Sequence, residues 1–346
     1  MRTTRIVRPS RGDFVRLPPV RVEAQFVSLA ETVDWGLAAY DIPARWKQSR
    51  GRGIKVAVMD TGIDAAHPDL VDAIDAARDF TESAAGPADR HGHGTHVAGT
   101  IAARDNGSGV IGVAPECRLI VAKVLGDDGA GSARGVAAGI DWACAEGADI
   151  LSMSFGSPMA DAQIKAAVDR AVERGKFVIC AAGNDGRGDS VNFPARWPDT
   201  IAVAAVDRNS RVAPFSSRGP EVDIAAPGED VLSSYLHGGY ARLSGTSMAT
   251  PFVSGVVALM LAKHRAEGGA TPVRNCTELR EHLRRTARDA GPAGHDPNYG
   301  WGLIDPARML ERSAAGERPS GEIRIGPLFI NGIKGSLVFV AEEARQ

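Results

Sequence analysis

The segment IKVAVMD, residues 54–60, places an aspartate directly after a run of apolar and β-branched residues. Such a run is typical of a strand that is buried on both faces of a parallel sheet. Asp60 then lies at the carboxyl end of the strand, where open parallel sheets form their sites. Ala-rich helical stretches separate this run from similar ones, which predicts an α/β fold with a doubly wound, mostly parallel sheet and right-handed crossovers. The similar runs are 119–125, 148–154, 176–183, 200–207 and 222–228.

Two further strings supply a histidine and a serine. HGHGTHVAG, residues 91–99, puts His93 at the start of a helix-like run, and SGTSMATP, residues 244–251, puts Ser247 at the start of a long apolar helix. A serine nucleophile needs an imidazole to take its proton and a carboxylate to hold that imidazole in the right tautomer. The chain order Asp, His, Ser differs from the orders in chymotrypsin-like barrels and α/β-hydrolases, so it also bears on the fold.

Each of these residues also has an ordinary interpretation. Asp60 could be a turn residue at a strand end or a helix N-cap, and Ser247 could be an N-cap, since serine is preferred there. His91, His93 and His96 stand close together, as zinc ligands can. However, the sequence has no matching acidic or cysteine cluster and no HExxH motif.

Taken together, the three strings closely resemble the signatures of the subtilisin-like serine proteases, the subtilases, over roughly residues 35–312. The resemblance implies a three-layer α/β/α fold and a serine endopeptidase whose catalytic triad is Asp60, His93 and Ser247. It makes His93 the base, likens His96 to a buried structural neighbour and leaves His91 on a loop before the site.

The resemblance also assigns an oxyanion hole and a substrate cleft. VICAAGND, residues 178–185, resembles the string whose Asn donates to the oxyanion, which implies Asn184. The alternative for Asn184 is a plain turn asparagine. Two segments resemble edge strands that hold an extended peptide, although a surface loop of small residues looks similar. The implied substrate-binding residues are Gly129, Ala130, Gly131, Ser154, Phe155 and Gly156.

Calcium is the cofactor that the resemblance implies. Hard cations prefer a carboxylate, an amide oxygen and several backbone carbonyls in a bent loop. HPDL, residues 67–70, and RDNGSGV, residues 104–110, supply that combination, with Asn-Gly turn chemistry as the alternative. The implied ligands are the side chains of Asp69 and Asn106 and the carbonyls of Arg104, Ser108 and Val110.

Composition limits the partners and the compartment. With 346 residues, 44% hydrophobic content and a net charge of −2, the chain suits one large α/β domain and gives no reason to expect nucleic acid. Neither a signal peptide nor a transmembrane run is visible. The four cysteines lack tight spacing, which fits free buried thiols in a reducing compartment. These features predict a cytoplasmic protein that acts on polypeptides.

The expected organisation is an extension over residues 1–34, a peptidase domain over 35–312 and a tail over 313–346. The short, proline-containing extension resembles that of the intracellular subtilisins, in which it lies across the active site. Here the corresponding sequence is LPPV, residues 17–20, which differs from the usual motif. The alternative is a disordered basic tail. Asn331-Gly332 predicts a hairpin in the tail, which could cover a sheet edge, mediate homodimer contacts or belong to the fold.

Two functions remain open at this point. The first is an active, calcium-dependent cytoplasmic endopeptidase that works through an acyl-enzyme. The second is a catalytically silent protein that holds peptides on a subtilase scaffold. An esterase is less favoured, because Ser247 stands in GTSMA and not in a GxSxG elbow.

Overall fold

The fold is built on a seven-stranded parallel sheet. The structure, a computed structural model, describes residues 15–27, 30–268, 273–311, 328–330 and 333–335. Its strands are β1 (Val15–Arg16), β2 (Arg21–Phe26), β3 (Lys55–Asp60), β4 (Ile74–Asp79), β5 (Arg118–Lys123), β6 (Ala130–Gly131), β7 (Ile150–Met153), β8 (Phe177–Ala181), β9 (Ile201–Val206), β10 (Ile224–Pro227), β11 (Val231–Ser234), β12 (Tyr240–Ser244), β13 (Leu328–Ile330) and β14 (Ile333–Gly335). Its α-helices are α1 (Trp35–Ala39), α2 (Ile42–Arg45), α3 (His93–Ala102), α4 (Ala133–Ala145), α5 (Ala162–Glu173), α6 (Thr246–Ala266), α7 (Cys276–Thr286) and α8 (Pro306–Leu310).

The central sheet has the strand order β10-β9-β8-β7-β3-β5-β4, and all of its neighbouring strands are parallel. Helix α3 packs against α6, and α4 packs against α5, with both pairs contacting the sheet. The result is the three-layer α/β/α architecture that the sequence predicts. All six predicted strands are confirmed, because their apolar runs are buried between the layers.

The edge strand β4 is the one member of this sheet that the sequence pattern does not predict. Its sequence, IDAARD, alternates between half-buried and exposed residues and has no apolar run. An edge strand is covered less completely than a central one, so its sequence carries a weaker signal.

Two small antiparallel sheets involve the N-terminal segment. Strand β1 pairs with β6, and β2 pairs with β12 in the order β11-β12-β2. Because β12 ends at Ser244 and α6 begins at Thr246, the second sheet leads directly to Ser247. Residues 15–26 therefore lie on the same region of the surface as the candidate site.

Helix α6 forms the centre of one helical layer. By length and composition it could cross a membrane, but 94% of its apolar stretch is buried inside the protein. The core helix of a globular domain can have the same length and composition. The four cysteines are free and buried, as predicted.

Residues 312–346 form a separate unit. In it, β13 and β14 pair as antiparallel strands, with Leu328 opposite Gly335. The predicted turn at Asn331-Gly332 lies outside the described residues, as does the basic segment 1–14.

Candidate active site

Asp60 and His93 form a buried hydrogen-bonded pair. Asp60 ends β3, and His93 begins α3 after Gly92, whose φ of 95° and close approach to the Tyr235 ring favour glycine. The Nδ1 atom of His93 lies 2.8 Å from Oδ1 of Asp60, which also accepts a bond from the Thr61 N–H at 2.7 Å. A carboxylate can only accept, so Nδ1 is the donor, and in the neutral imidazole the lone pair is on Nε2.

Asp89 holds the start of α3 in place. Its buried carboxylate accepts hydrogen bonds from the backbone N–H groups of Gly92 and Thr95, each at 2.9 Å. The Thr61 hydroxyl donates to Asp89 at 2.9 Å and accepts from the Gly94 N–H at 2.9 Å. The residue next to Asp60 is therefore bonded to both ends of the turn that carries His93.

Ser247 is the second residue of α6 and is fully buried. Its hydroxyl donates to the Ser154 carbonyl at 3.0 Å, and the Ser154 hydroxyl donates to the Ser247 carbonyl at 3.0 Å. Among the residues that the structure describes, His93 Nε2 has no hydrogen-bond partner. The Ser–His contact is thus not closed in this conformation, as is common in enzymes without bound substrate.

Asn184 follows β8, and its amide group has a determined orientation. Its Oδ1 accepts bonds from the Thr246 N–H at 2.9 Å and the Thr246 hydroxyl at 2.8 Å. Since a backbone N–H can only donate, the amide oxygen must face Thr246 and the amide nitrogen must point away from it. That nitrogen donates to the Pro19 carbonyl at 3.0 Å.

The N-terminal segment lies between the two predicted edge segments. On one side, β1 pairs with β6, and the Leu17 N–H donates to the Gly129 carbonyl at 3.0 Å. On the other side, Arg16 exchanges two backbone bonds with Gly156, at 3.2 and 3.1 Å. The structure thus brings Gly129, Ala130, Gly131 and Gly156 against one extended peptide. Ser154 contacts Ser247, whereas the Phe155 side chain packs in the hydrophobic core.

The other two histidines of the second string have separate environments. His96 is fully buried, and its Nε2 lies 3.0 Å from the Val231 carbonyl; burial lowers the pKa of His96 to about 3. The His91 ring lies 6.3 Å from that of His93, and burial followed by the nearby His93 lowers the pKa of His91. His96 is thus placed as a neutral structural residue and His91 as a neighbour of the pair.

In the predicted calcium loop, residues 104–110, side-chain oxygens accept hydrogen bonds from loop residues. Asp69 accepts from the Val110 N–H at 3.0 Å and from the Asn106 amide at 3.1 Å, and Asn106 Oδ1 accepts from the Ser108 N–H at 3.1 Å. The Arg104 guanidinium donates to carbonyls outside the loop, among them that of Cys117, which leaves only its carbonyl as a candidate ligand.

Glu31 also reaches this loop, where its carboxylate accepts from the Gly107 N–H at 2.7 Å. The sequence pattern does not reveal this contact, because Glu31 is far from the loop in the chain. An all-oxygen donor set of this kind fits a hard cation. No cluster of three or more His, Cys, Asp or Glu side chains suited to a metal occurs in the described part of the chain.

Comparison with known proteins places the chain in a family. The model of the subtilase family matches residues 51–302. The chain is 43% identical over 277 residues to subtilisin Savinase of Lederbergia lenta, covering 80% of this chain and 98% of that protein. It is 42% identical over 299 residues to an intracellular serine protease of Paenibacillus polymyxa, covering 84% and 90%, and 41% identical over 302 residues to the M-protease of Shouchella clausii, covering 86% and 76%.

The matched span contains Asp60, His93, Asn184 and Ser247, together with the seven-stranded sheet that positions them. Family membership, the parallel three-layer fold and the named proteases among the relatives agree with each other. The chain belongs to the subtilase family and is a subtilisin-type serine protease that acts on polypeptides.

Proposed function

We propose that Asp60, His93 and Ser247 form the catalytic triad of a serine endopeptidase. His93 Nε2 removes the Ser247 proton as Oγ attacks the peptide carbonyl carbon. Collapse of the tetrahedral intermediate breaks the C–N bond, while His93 returns the proton to the leaving amine. Water, deprotonated by the same imidazole, then hydrolyses the acyl-enzyme.

The buried Asp60–His93 bond carries this proposal. It leaves the His93 lone pair on Nε2, at the start of a helix that packs against the helix of Ser247. The Ser247 hydroxyl bonds to the Ser154 carbonyl in this structure and must leave it before it can bond to that lone pair. Exchanging one neutral hydrogen bond for another costs about 1 kcal/mol or less.

Asn184 is the proposed side-chain donor to the oxyanion. Thr246 holds its amide oxygen, so the donating nitrogen is directed into the cleft before any substrate arrives. A donor oriented in advance needs no reorganisation when the charge appears on the carbonyl oxygen. A purely peptide-binding protein would not need this donor together with the Asp60–His93 bond, so the catalytically silent alternative is not favoured.

The extension over residues 1–34 is proposed to restrain the enzyme. Its strand β1 pairs antiparallel with β6 in the cleft, and Pro19 presents its carbonyl to Asn184. Strand β2 continues the contact along β12, with Arg21 opposite Ser244, just before α6, and Phe26 opposite Tyr240. A substrate would have to displace these backbone hydrogen bonds, which supports an inhibitory role over that of a free basic tail.

Calcium is proposed to bind at the loop of residues 104–110. Asp69, the Asn106 amide oxygen and the carbonyls of Arg104, Ser108 and Val110 would hold it, with Glu31 alongside. When bound, the ion would neutralise the carboxylates and tie the loop to Asp69 and to the segment that carries Glu31.

We place the protein in the cytoplasm. Four free, buried thiols suit a reducing compartment. The relative from Paenibacillus polymyxa is named as an intracellular protease, which supports the same location, with a role in intracellular protein degradation or processing.

A serine-directed phosphonate probe tests the catalytic proposal. Purified protein is incubated with the probe and with a denatured protein substrate, with and without calcium. We expect labelling of Ser247 and cleavage of the substrate, both lost in Ser247→Ala. Ser254→Ala, on the same helix, is the matched control and should keep both activities. If neither the native protein nor a form that lacks residues 1–20 labels or cleaves in any condition, the assignment is wrong.

A further inference from the structure

Lys123 is a fully buried cation beside the proposed triad. It ends β5, where its backbone lies opposite Asp60 in the parallel register, and its side chain is 0% exposed. No step of the proposed reaction uses this ammonium group. Burying a charge is costly unless it is paired and hydrogen-bonded, so its partners decide what it does.

The three partners of Lys123 come from three segments of the site. Its Nζ donates to the Thr61 carbonyl at 2.7 Å, the Ala88 carbonyl at 3.0 Å and the Asp127 carboxylate at 2.7 Å. Thr61 follows Asp60, and Ala88 precedes Asp89, which caps the turn before His93. Asp127 lies in the loop that leads to the cleft residues 129–131. One ammonium group therefore joins the acid, the loop of the base and the substrate edge.

The charge of Lys123 is only partly balanced where it lies. Two of its three acceptors are neutral carbonyls. The third, Asp127, is 46% exposed, so solvent screens part of its negative charge. Lys123 bonds directly to this carboxylate and so lowers the pKa of Asp127, as expected of a close ion pair. The ammonium of Lys123, bonded to the carbonyl next to Asp60, therefore adds a positive charge among the carboxylates of Asp60, Asp89 and Asp127.

We propose that Lys123 is a positioning residue for the Asp60–His93 pair, which it serves by joining the three segments and by a positive charge that opposes protonation of His93. This inference rests on the catalytic role proposed for His93. The ammonium fixes the peptide groups next to Asp60 and Asp89, while Asp127 moderates its field.

Other charged groups face the pair as well. Asp89 and His91 lie on the loop before α3, and His96 lies on α3 itself. Asp127 and Asp128 lie on the loop after β5. Arg90 lies near Asp127. All of these groups except Asp127 are the same in the variants described below. Their effect on the pH profile of kcat/KM is therefore the same in each protein that is compared.

Two substitutions predict opposite shifts in the pH profile of kcat/KM. Lys123→Met removes the positive charge, so the acid limb should move to higher pH by roughly half a unit or more. Asp127→Asn leaves the ammonium less balanced, so the acid limb should move to lower pH by a smaller amount. Lys123→Met should also lower kcat by roughly tenfold to a hundredfold, because the pair is less well placed.

The surface pair Lys165 and Asp169 gives matched controls, since the two residues are four positions apart on α5, as Lys123 and Asp127 are in their own segment. Lys165→Met and Asp169→Asn make the same charge changes and should leave the acid limb in place. If Lys123→Met does not fold, as judged by circular dichroism, the half-exposed Asp127→Asn decides alone. No shift in the Asp127 variant, or shifts of both variants in one direction, would overturn the proposal.

Titration of the His93 imidazole by NMR separates this inference from the catalytic one. Measured in Ser247→Ala, it needs no activity and should show the same two opposite shifts. Loss of Ser247-dependent cleavage in the native protein would count against the catalytic proposal alone. An imidazole titration unmoved by either substitution would count against the role of Lys123 alone.

Discussion

The side-chain amide of Asn184 donates a hydrogen bond of 3.0 Å to the carbonyl oxygen of Pro19. The proposed oxyanion donor is therefore already occupied by the chain's own N-terminal segment. The same segment bonds to Gly129 on one side of the cleft and to Gly156 on the other. We therefore expect an extended substrate to bind in this cleft only after the segment has left.

Removal of the segment should raise activity. Deletion of residues 1–20 is expected to increase the initial kcat/KM for a peptide substrate by roughly tenfold or more, because a tethered competitor acts at millimolar effective concentration. Deletion of residues 1–14 keeps Val15 to Pro19 and should leave the initial rate low. Initial rates are measured beside intact mass, and full activity with an intact N-terminus would contradict the inhibitory role.

Replacement of the oxyanion donor should slow the chemical step. Asn184→Ala is expected to lower kcat by about 10²–10³ with little change in KM, because the lost bond is made mainly in the transition state. Steady-state kinetics on the enzyme that lacks residues 1–20 measure both constants. Asn209→Ala, at an exposed turn, serves as the control. An equal loss in both variants would mean that Asn184 has no special role.

Calcium should stabilise the folded protein. An ion that binds only the native state raises stability by RT ln(1 + [Ca²⁺]/Kd), about 2.7 kcal/mol at a hundredfold excess over Kd. Thermal unfolding with calcium and with EGTA should therefore differ in native protein and much less in Asp69→Asn. Asp105→Asn, whose carboxylate pairs with Arg50 at 2.7 Å, should keep the difference. A chelator-insensitive Tm in the native protein would disprove the site.

Acid should destabilise the protein through His96. Burial lowers the pKa of His96 from 6.5 to about 3. Between these two values the unfolded chain binds a proton that the folded protein excludes. The contribution of His96 is thus fully present above pH 6.5 and is lost as the pH falls toward 3, at about 1.4 kcal/mol per pH unit.

Urea unfolding at pH 7 and pH 5 tests this linkage. His96→Gln should show a shallower pH dependence than the native protein, since its side chain does not titrate. His237→Gln, at an exposed position, should keep the native slope. Identical slopes in all three proteins would rule out a titrating role for His96.

Short apolar runs predict the central strands well, because a run of apolar residues is stable only where both of its faces are buried. The runs that end at Asp60 and near Asn184 therefore place two site residues at strand ends on composition alone. Strand β4 lacks such a run, so the pattern does not reveal it. The contact of Glu31 with Gly107 joins positions 76 residues apart, and no local pattern predicts a contact of that range.

By itself, the sequence determined the family, the parallel α/β fold and the residue types of the proposed triad, since these depend on local patterns and on motifs that each lie within a few residues. Only the tertiary structure decided which way the Asn184 amide faces, which carbonyl accepts its hydrogen bond and where the Lys123 charge lies. Those features arise between distant segments, where hydrogen-bond geometry and burial, rather than local composition, select the partner.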